Sequence, residues 1–329
     1  MKIVIIGCGL IGDKRAKALG SNKLVACCDL NVNIAKEFSE KYGNIPYYSD
    51  AKDLLKKVEC DIVILSTTHE SLPILLKECL EKRKHVLIEK PAGRFAQELY
   101  GLNELASANN CKVHIGFNHR YHRAFIKAKQ IIDTGVLGEL MFIRARYGHG
   151  ARVGYNKEWR ADPKLSGGGE LIDQGSHLID LSRMFLGDFS EINGIATNYF
   201  WDMPVDDNAF LTLKTQKGQI AFLQASCTEW KNTFNFEIYG KDGKLDISGL
   251  GGSYGTEKLT YYKMLPQMGP PETYCWEYPM ADNSWAVEFE QFISDINSNR
   301  KCNPGIEDAI ANLEIVNKVY KDSNYDYNS

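Results

Sequence analysis

The sequence predicts an α/β protein: a doubly wound parallel sheet, then an α+β domain with a mainly antiparallel, open sheet. Three observations carry this. An apolar strand runs directly into Gly7-x-Gly9-x-x-Gly12, apolar runs alternate with helical stretches as far as residue 120, and beyond it strands follow one another through turns. The expected domains are 1–120 and 121–329.

In "KIVIIGCGLIGDKRAKALG" the all-apolar strand leads through the glycines into a helix with Leu10, Ile11, Ala16 and Leu19 available for packing. The glycines divide the work of a dinucleotide-binding (Rossmann) turn: a tight bend, close approach of backbone to a pyrophosphate, and close helix–strand packing. The helix N-terminus adds unpaired N–H groups and a partial positive charge. A second buried strand, "LVACCDL", ends in Asp29 at the spacing that places a carboxylate on the adenosine ribose. No Arg or Lys follows within Leu30 to Asn33 to pair a 2′-phosphate, so NAD is expected rather than NADP. Strands "DIVILST", "HVLIEK" and "KVHIGFN", separated by helices "HESLPILLKECLEK" and "AQELYGLNELASANN", complete the alternation. Ligands of such sheets lie at the carboxyl ends of the strands, where Thr67, Glu89, Lys90 and Asn118 fall. The expected cofactor contacts are Gly7, Gly9, Leu10, Ile11, Gly12, Asp29, Thr67, Glu89 and Lys90. Pro91 holds Lys90 in an extended geometry.

The second half reads as strands, among them "LMFIRARYG", "NAFLTLKT", "GQIAFLQASCTE" and "FNFEIYGKDGKLDIS", the last turning at Lys241-Asp242-Gly243, with helices around 285–296 and 306–320. With 39 basic and 42 acidic side chains the formal charge is −3, so no basic field recruits nucleic acid or an anionic membrane. No apolar run approaches the length of a membrane span or a signal-peptide core. The nine cysteines show no C-x-x-C spacing and read as buried thiols of a reducing compartment, giving a cytoplasmic expectation.

"GGGELIDQGSHLID", residues 167–180, puts Asp173, His177 and Asp180 on one side of a helix at about 100° per residue, away from the apolar stripe of Leu171, Leu178 and Leu186. Three readings compete for it: a solvated face, two helical metal ligands, or a general base oriented by a carboxylate. Gly167 to Gly169 read as backbone permitting close approach to a ligand. Asp180 reads equally as a partner behind the site or as an exposed acid.

Together the glycine motif, "EKP" at 89–91 and the 167–180 segment resemble the Gfo/Idh/MocA oxidoreductases over nearly the whole chain, in the same order. The resemblance implies that Lys90, Asp173 and His177 contact the reacting hydroxyl or carbonyl, and that the second domain's sheet forms a homodimer or homotetramer interface. It implies hydride transfer between NAD and a hydroxyl or keto carbon of a sugar, nucleotide sugar or cyclitol. His177 then serves as base, Asp173 orients it, and Lys90 stabilises the alkoxide. No metal is expected. Cationic and aromatic residues in "RARYGHGARVGYNKEWR" and "NHRYHR" favour a nucleotide sugar or uronate, with Asn118, Arg120, Tyr121, Arg146, Trp159 and Arg160 as substrate contacts. Two alternatives stay open: a glycosidase using NAD for transient oxidation and elimination, and a non-catalytic NAD-binding regulator.

Overall fold

The structure is a computed structural model that describes residues 1–267 and 269–325. The chain divides into two compact units, Met1–Phe117 with Trp285–Leu313, and Asn118–Ser284 with Glu314–Ser329. The expected single boundary at 120/121 does not describe this division, because Trp285–Leu313 belong with the first unit. Residues 326–329 of the expected second domain lie outside the described residues.

In the first unit, β1 (Lys2–Ile6), α1 (Leu10–Lys17), β2 (Lys23–Cys28), α2 (Val32–Lys41), β3 (Tyr47–Tyr48), α3 (Ala51–Lys57), β4 (Ile62–Leu65), α4 (Leu72–Glu81), β5 (His85–Glu89), α5 (Leu102–Ala108) and β6 (Val113–Gly116) alternate as the sequence predicts. Every strand pair is parallel, in the order β3-β2-β1-β4-β5-β6, so the order reverses beside β1, where doubly wound sheets bind their ligands. Strands covered on both faces must be apolar throughout, and Ile3 to Ile6 and Ile62 to Leu65 are all buried. The expected helix over 96–110 is broken. A 3₁₀ turn at Ala96–Leu99 is followed by Gly101 at φ 79°, a left-handed conformation that stops one helix and starts the next.

The helix Ser284–Asn297 joins this unit because Phe289 and Phe292, 2% and 0% exposed, enter the cluster of Ile3, Ile5, Ile62, Ile64 and Leu87. It also carries Glu288 to Arg15. The Arg15 guanidinium is fully buried between Glu288 and Glu89, the latter at 2.5 Å, and lies 4.4 Å from the Trp285 ring centroid. His114 Nε2 lies 3.6 Å from Glu288. Gly116 is required beside it, since a Cβ there would sit 2.6 Å from Arg15 Nη2. Burial pushes the Glu89 carboxyl above the usual range. Burial works the same way on Glu288, but Arg15 and His114 outweigh it and hold that carboxyl low.

The second unit contains α6 (Arg123–Asp133), β7 (Leu140–Gly148), α7 (Pro163–Ser166), α8 (Ser176–Leu186), β8 (Phe189–Thr197), β9 (Asn208–Thr215), β10 (Ile220–Ser226), β11 (Thr233–Gly240), β12 (Gly243–Ser248), β13 (Glu257–Lys263) and β14 (Glu272–Tyr278). The last helix, Ile306–Asp322, spans the division between the units at residues 313 and 314. One eight-stranded sheet, ordered β14-β13-β12-β11-β7-β10-β9-β8, is antiparallel except between β7 and β10. Its strands alternate as a sheet with one covered face must: Ile143, Ala145 and Tyr147 of β7 are buried, with α6 and α8 packed on the sheet, while Phe142, Arg144 and Arg146 point the other way. No helix among the described residues is long and apolar enough to cross a membrane.

Removing the cation from the Arg15 cluster would leave two facing carboxylates out of water. Arg15→Met is expected to lower the unfolding free energy by about 3–5 kcal/mol, and adding Glu288→Gln to recover part of that loss, both read from urea midpoints.

Candidate active site

The cradle in the first unit is built by close backbone contacts. A Cβ on Gly7, at φ 96°, would meet Ser66 O at 2.4 Å, and one on Gly12 would meet Gly7 O at 2.1 Å, so both glycines are demanded by the fold itself. Gly9 differs. It caps α1, and a Cβ there would meet nothing within 4 Å, leaving the helix N-terminus open to an incoming phosphate. Asp29 Oδ2 accepts from Cys8 N at 2.9 Å and Oδ1 from Asn31 N at 2.9 Å, so the carboxylate also ties down the glycine loop. Leu10, expected to be available for packing, is 73% exposed at the mouth of this cradle, and Ile11 is half-buried. These features fit a dinucleotide. Thr67, half-buried, accepts from Ser71 Oγ at 2.8 Å. Glu89, expected as a cofactor contact, has its carboxylate bonded to the buried Arg15, which passes beside Gly116. Lys90 follows β5 directly, half-buried, and its bond to Pro91 is cis.

In the second unit the segment carrying Asp173 and His177 is not a plain α-helix. After α7 ends at Gly167, in the left-handed region at φ 77°, a π-helical turn over Leu171–Gly175 opens into α8. Such turns widen a helix locally and recur at functional sites. Its start is gripped by a buried acid. Asp206, fully buried, accepts from Gly169 N and Leu171 N, each at 2.8 Å, while Tyr320 Oη takes Gly169 N at 3.1 Å and Ile172 N at 3.2 Å. Burial outweighs these bonds and pushes the Asp206 carboxyl up to about 6. This grip accounts for the triple glycine. A Cβ on Gly168 would fall 2.2 Å from Tyr320 Oη and one on Gly169 1.9 Å from Asp206 O. The close approach expected toward a ligand is made instead to the protein's own chain.

The polar stripe is buried, not solvated. His177 is 4% exposed and stacks on His119, ring centroids 3.7 Å apart at 24°; His119 Nε2 lies 3.3 Å from Tyr147 Oη. Burial and its tyrosine and carboxylate neighbours push the Tyr147 hydroxyl well above its ordinary value. Asp173 Oδ2 accepts from Arg160 Nε at 3.0 Å, and Asp173 raises the guanidinium's own pKa. Arg160 in turn lies 4.7 Å over the half-buried Trp159 ring. Asp180 is fully buried and takes a two-pronged bond from Arg120, at 2.8 and 2.5 Å. Behind Asp173, the fully buried Glu170 accepts from Tyr155 Oη at 2.7 Å and lies 3.5 Å from His149 Nε2.

Of the expected substrate contacts, Trp159 and Arg160 lie beside Asp173. Asn118 is buried, its amide bonded to Ser284 Oγ at 3.0 Å and facing His119 Nδ1 at 3.2 Å. Tyr121 is half-buried on the same short turn. Arg120 is corrected to the partner of Asp180. Arg146 is corrected too: the period of two that turns Tyr147 inward turns Arg146 to the opposite face of the sheet, where it is exposed. His119 was not singled out as a site residue, although it lies inside the "NHRYHR" stretch, and Tyr147 entered only among the aromatic residues of "RARYGHGARVGYNKEWR". The metal reading of the stripe meets two carboxylates already bonded to arginines. Among the described residues, the only grouping with metal-ligand spacing is His114, Asp295 and Cys302 of the first unit, whose ligand atoms lie within 4.8 Å of one another.

Family profiles match both parts of the chain: an NAD-binding Rossmann-fold oxidoreductase family over residues 1–117 and a Gfo/Idh/MocA C-terminal domain over 125–246. The chain belongs to the Gfo/Idh/MocA oxidoreductases. Among curated relatives, levoglucosan dehydrogenase of Pseudarthrobacter phenanthrenivorans is 23% identical over 70% of this chain and 65% of its own length. D-glucoside 3-dehydrogenase of Escherichia coli is 27% identical over 69% and 70%, and myo-inositol 2-dehydrogenase of Thermotoga maritima 24% identical over 77% and 74%. The chain thus spans about two thirds of the length of the first of these. In fold, levoglucosan dehydrogenase solved in complex with NADH superposes with a TM-score of 0.88 at 19% identity, covering 98% of each chain.

The glycines separate two roles. Gly9→Ala should keep the wild-type melting temperature and weaken NADH binding, measured by fluorescence titration, whereas Gly169→Ala should fail to reach the wild-type fold. His149 supplies a pH test. Burial opposes its charge, but Glu170 outweighs burial and raises the imidazole above its ordinary 6.5. Stability from this pair is fully present below pH 6.5 and lost as pH rises through the raised folded value. The melting-temperature gap between wild type and His149→Gln should therefore shrink as the pH rises above 6.5 and through the raised folded value.

Proposed function

We propose that this protein is an NAD-dependent dehydrogenase that oxidises a CH–OH group of a neutral sugar, glycoside or cyclitol. The observation that carries the reading is the setting of His177: a buried imidazole on a helix gripped at its start, with Asp173 one turn earlier held by Arg160. NAD, when bound by the Gly7–Gly12 loop and Asp29, supplies hydride acceptance. His177 takes the hydroxyl proton, and its stacking on His119 holds the ring plane. Asp173 orients the site and offsets positive charge on the imidazole, while Lys90 supplies an ammonium to the developing alkoxide, the role the family resemblance gives it.

Pairing of the nearby cations supports a neutral substrate. Arg160 is bonded to Asp173, Arg120 to Asp180, His149 to Glu170, and Arg152 to Glu158 at 2.7 Å. A phosphate or uronate would need cations not already held by carboxylates, so this arrangement speaks against the nucleotide sugar or uronate expected from the basic residues alone. The names of the sugar and inositol dehydrogenases among the relatives agree with a neutral polyol. A homo-oligomer through the exposed sheet face, where Phe142, Ile195 and Phe222 are 37%, 62% and 50% exposed, and a cytoplasmic location, in keeping with nine free thiols of which only Cys275 is exposed, belong to the same reading.

NADH formation with NAD across free sugars, methyl and aryl glycosides, inositols and nucleotide sugars tests it. Activity should appear with neutral substrates, prefer NAD over NADP, and fall by about 10²- to 10⁴-fold in His177→Ala. Activity confined to nucleotide sugars would sink the neutral-substrate reading. Release of aglycone without net NADH would make the protein a redox glycosidase.

A further inference from the structure

Three loops emerge at one end of the second unit's sheet. β7 and β10 run parallel and end there at Gly148 and Ser226, and antiparallel β9 begins there at Asn208. The loops are stitched together: His149 N donates to Ser226 O at 3.0 Å, Glu229 N to His149 O at 3.1 Å, and Cys227 N to Asp207 O at 2.9 Å. The first loop bears His149, Tyr155 and Arg160 of the site. The other two bear an aromatic group that no step above uses.

Tyr199, Phe200 and Trp230 are 72%, 59% and 63% exposed. Phe200 meets Trp230 nearly edge-on, centroids 4.7 Å apart at 81°, and meets Trp201 in the same way at 5.2 Å and 88°. Trp201 donates its indole N–H to Cys227 O at 3.0 Å and lies 6.0 Å from Tyr155, whose hydroxyl is bonded to Glu170, three residues before Asp173. A line of rings therefore runs from solvent to the catalytic helix. The exposed rings are presented rigidly. The fully buried Asp207 carboxylate accepts from Tyr199 N, Phe200 N and Trp201 N at 2.9, 2.7 and 3.1 Å, and Trp230 holds φ 54°, a conformation costly for a bulky residue.

We propose that Phe200 and Trp230, with Tyr199 beside them, form a subsite for a second pyranose ring, so that the substrate is a disaccharide or longer glycoside oxidised on the unit that reaches His177. This rests on the dehydrogenase reading for the oxidised unit. A pyranose offers one face of C–H groups that packs on aromatic rings while its hydroxyls stay in water. The three side chains expose at most a few hundred Å², about the size of a sugar face and far below the roughly 1,600 Å² of a standard protein interface. Through Trp201 the patch packs against Tyr155, whose hydroxyl is held by Glu170 on the segment that carries Asp173.

The test compares Phe200→Ala, Trp230→Ala and the double variant with wild type. Maltose, cellobiose, glucose and the methyl glucosides serve as substrates, with disaccharide binding measured separately by calorimetry. Expected are unchanged melting temperatures and a KM for the preferred disaccharide raised about 10-fold, with KM for the methyl glucoside and kcat for both left alone. Equal effects on disaccharide and methyl glucoside, or a wild type that binds neither disaccharide, overturn the subsite. So does a change in oligomeric mass in the variants, which would make the patch a contact between copies. If no sugar yields NADH while disaccharide binding still depends on Trp230, the subsite stands and the dehydrogenase reading falls.

Discussion

Adjacent buried carboxylates at Asp206 and Asp207 organise the functional end of the second unit. Neither has access to water, so each must spend its lone pairs on backbone N–H groups, and those groups belong to two different segments. Asp206 takes the start of the π-helical turn; Asp207 takes the aromatic loop. Because the two acids are consecutive, at the entrance to β9, the sheet fixes both segments through a single peptide unit. The position of Asp173 and His177 is thereby inherited from the sheet and not from the glycine-rich loop before them, which has no side chains with which to hold itself.

Around that framework charge is handled one pair at a time. Arg120, His149, Arg160 and Arg183, all buried or half-buried near the π-helical turn and α8, each have a carboxylate partner, and Arg15 in the first unit has two. Buried pairs of this kind add little net stability but tolerate no partial removal.

The dinucleotide half was legible because its signals are local: three glycines, a strand-end acid and strands apolar on both faces are all written within short windows. The stripe of Asp173 and His177 was legible as chemistry, since two polar groups on one helix face need a reason. What surrounds it was not. Glycine reports that space is short without saying whose atoms fill it, so Gly168 and Gly169 read as ligand contacts while they serve Tyr320 and Asp206. Nothing in the helix sequence sets Arg15 apart from Lys14 and Lys17; only Gly116 and Glu288, distant in sequence, reveal it as interior. Arg146 was open to correction from sequence alone, because strand parity with an inward Tyr147 sends it outward. The π-helical turn has no compositional mark, and an assumed regular period hides it.

The first unit draws its closing helix from residues made long after its strands, and this orders events on the ribosome. Until Glu288, Phe289 and Phe292 have left the exit tunnel, the nascent nucleotide-binding sheet has an arginine lacking one counter-ion and an apolar face lacking its cover. The usual sequence, in which an amino-terminal domain finishes folding while the remainder is still being translated, is closed to it. The intervening sheet of the second unit is synthesised in full before Trp285–Leu313 can complete the nucleotide-binding unit.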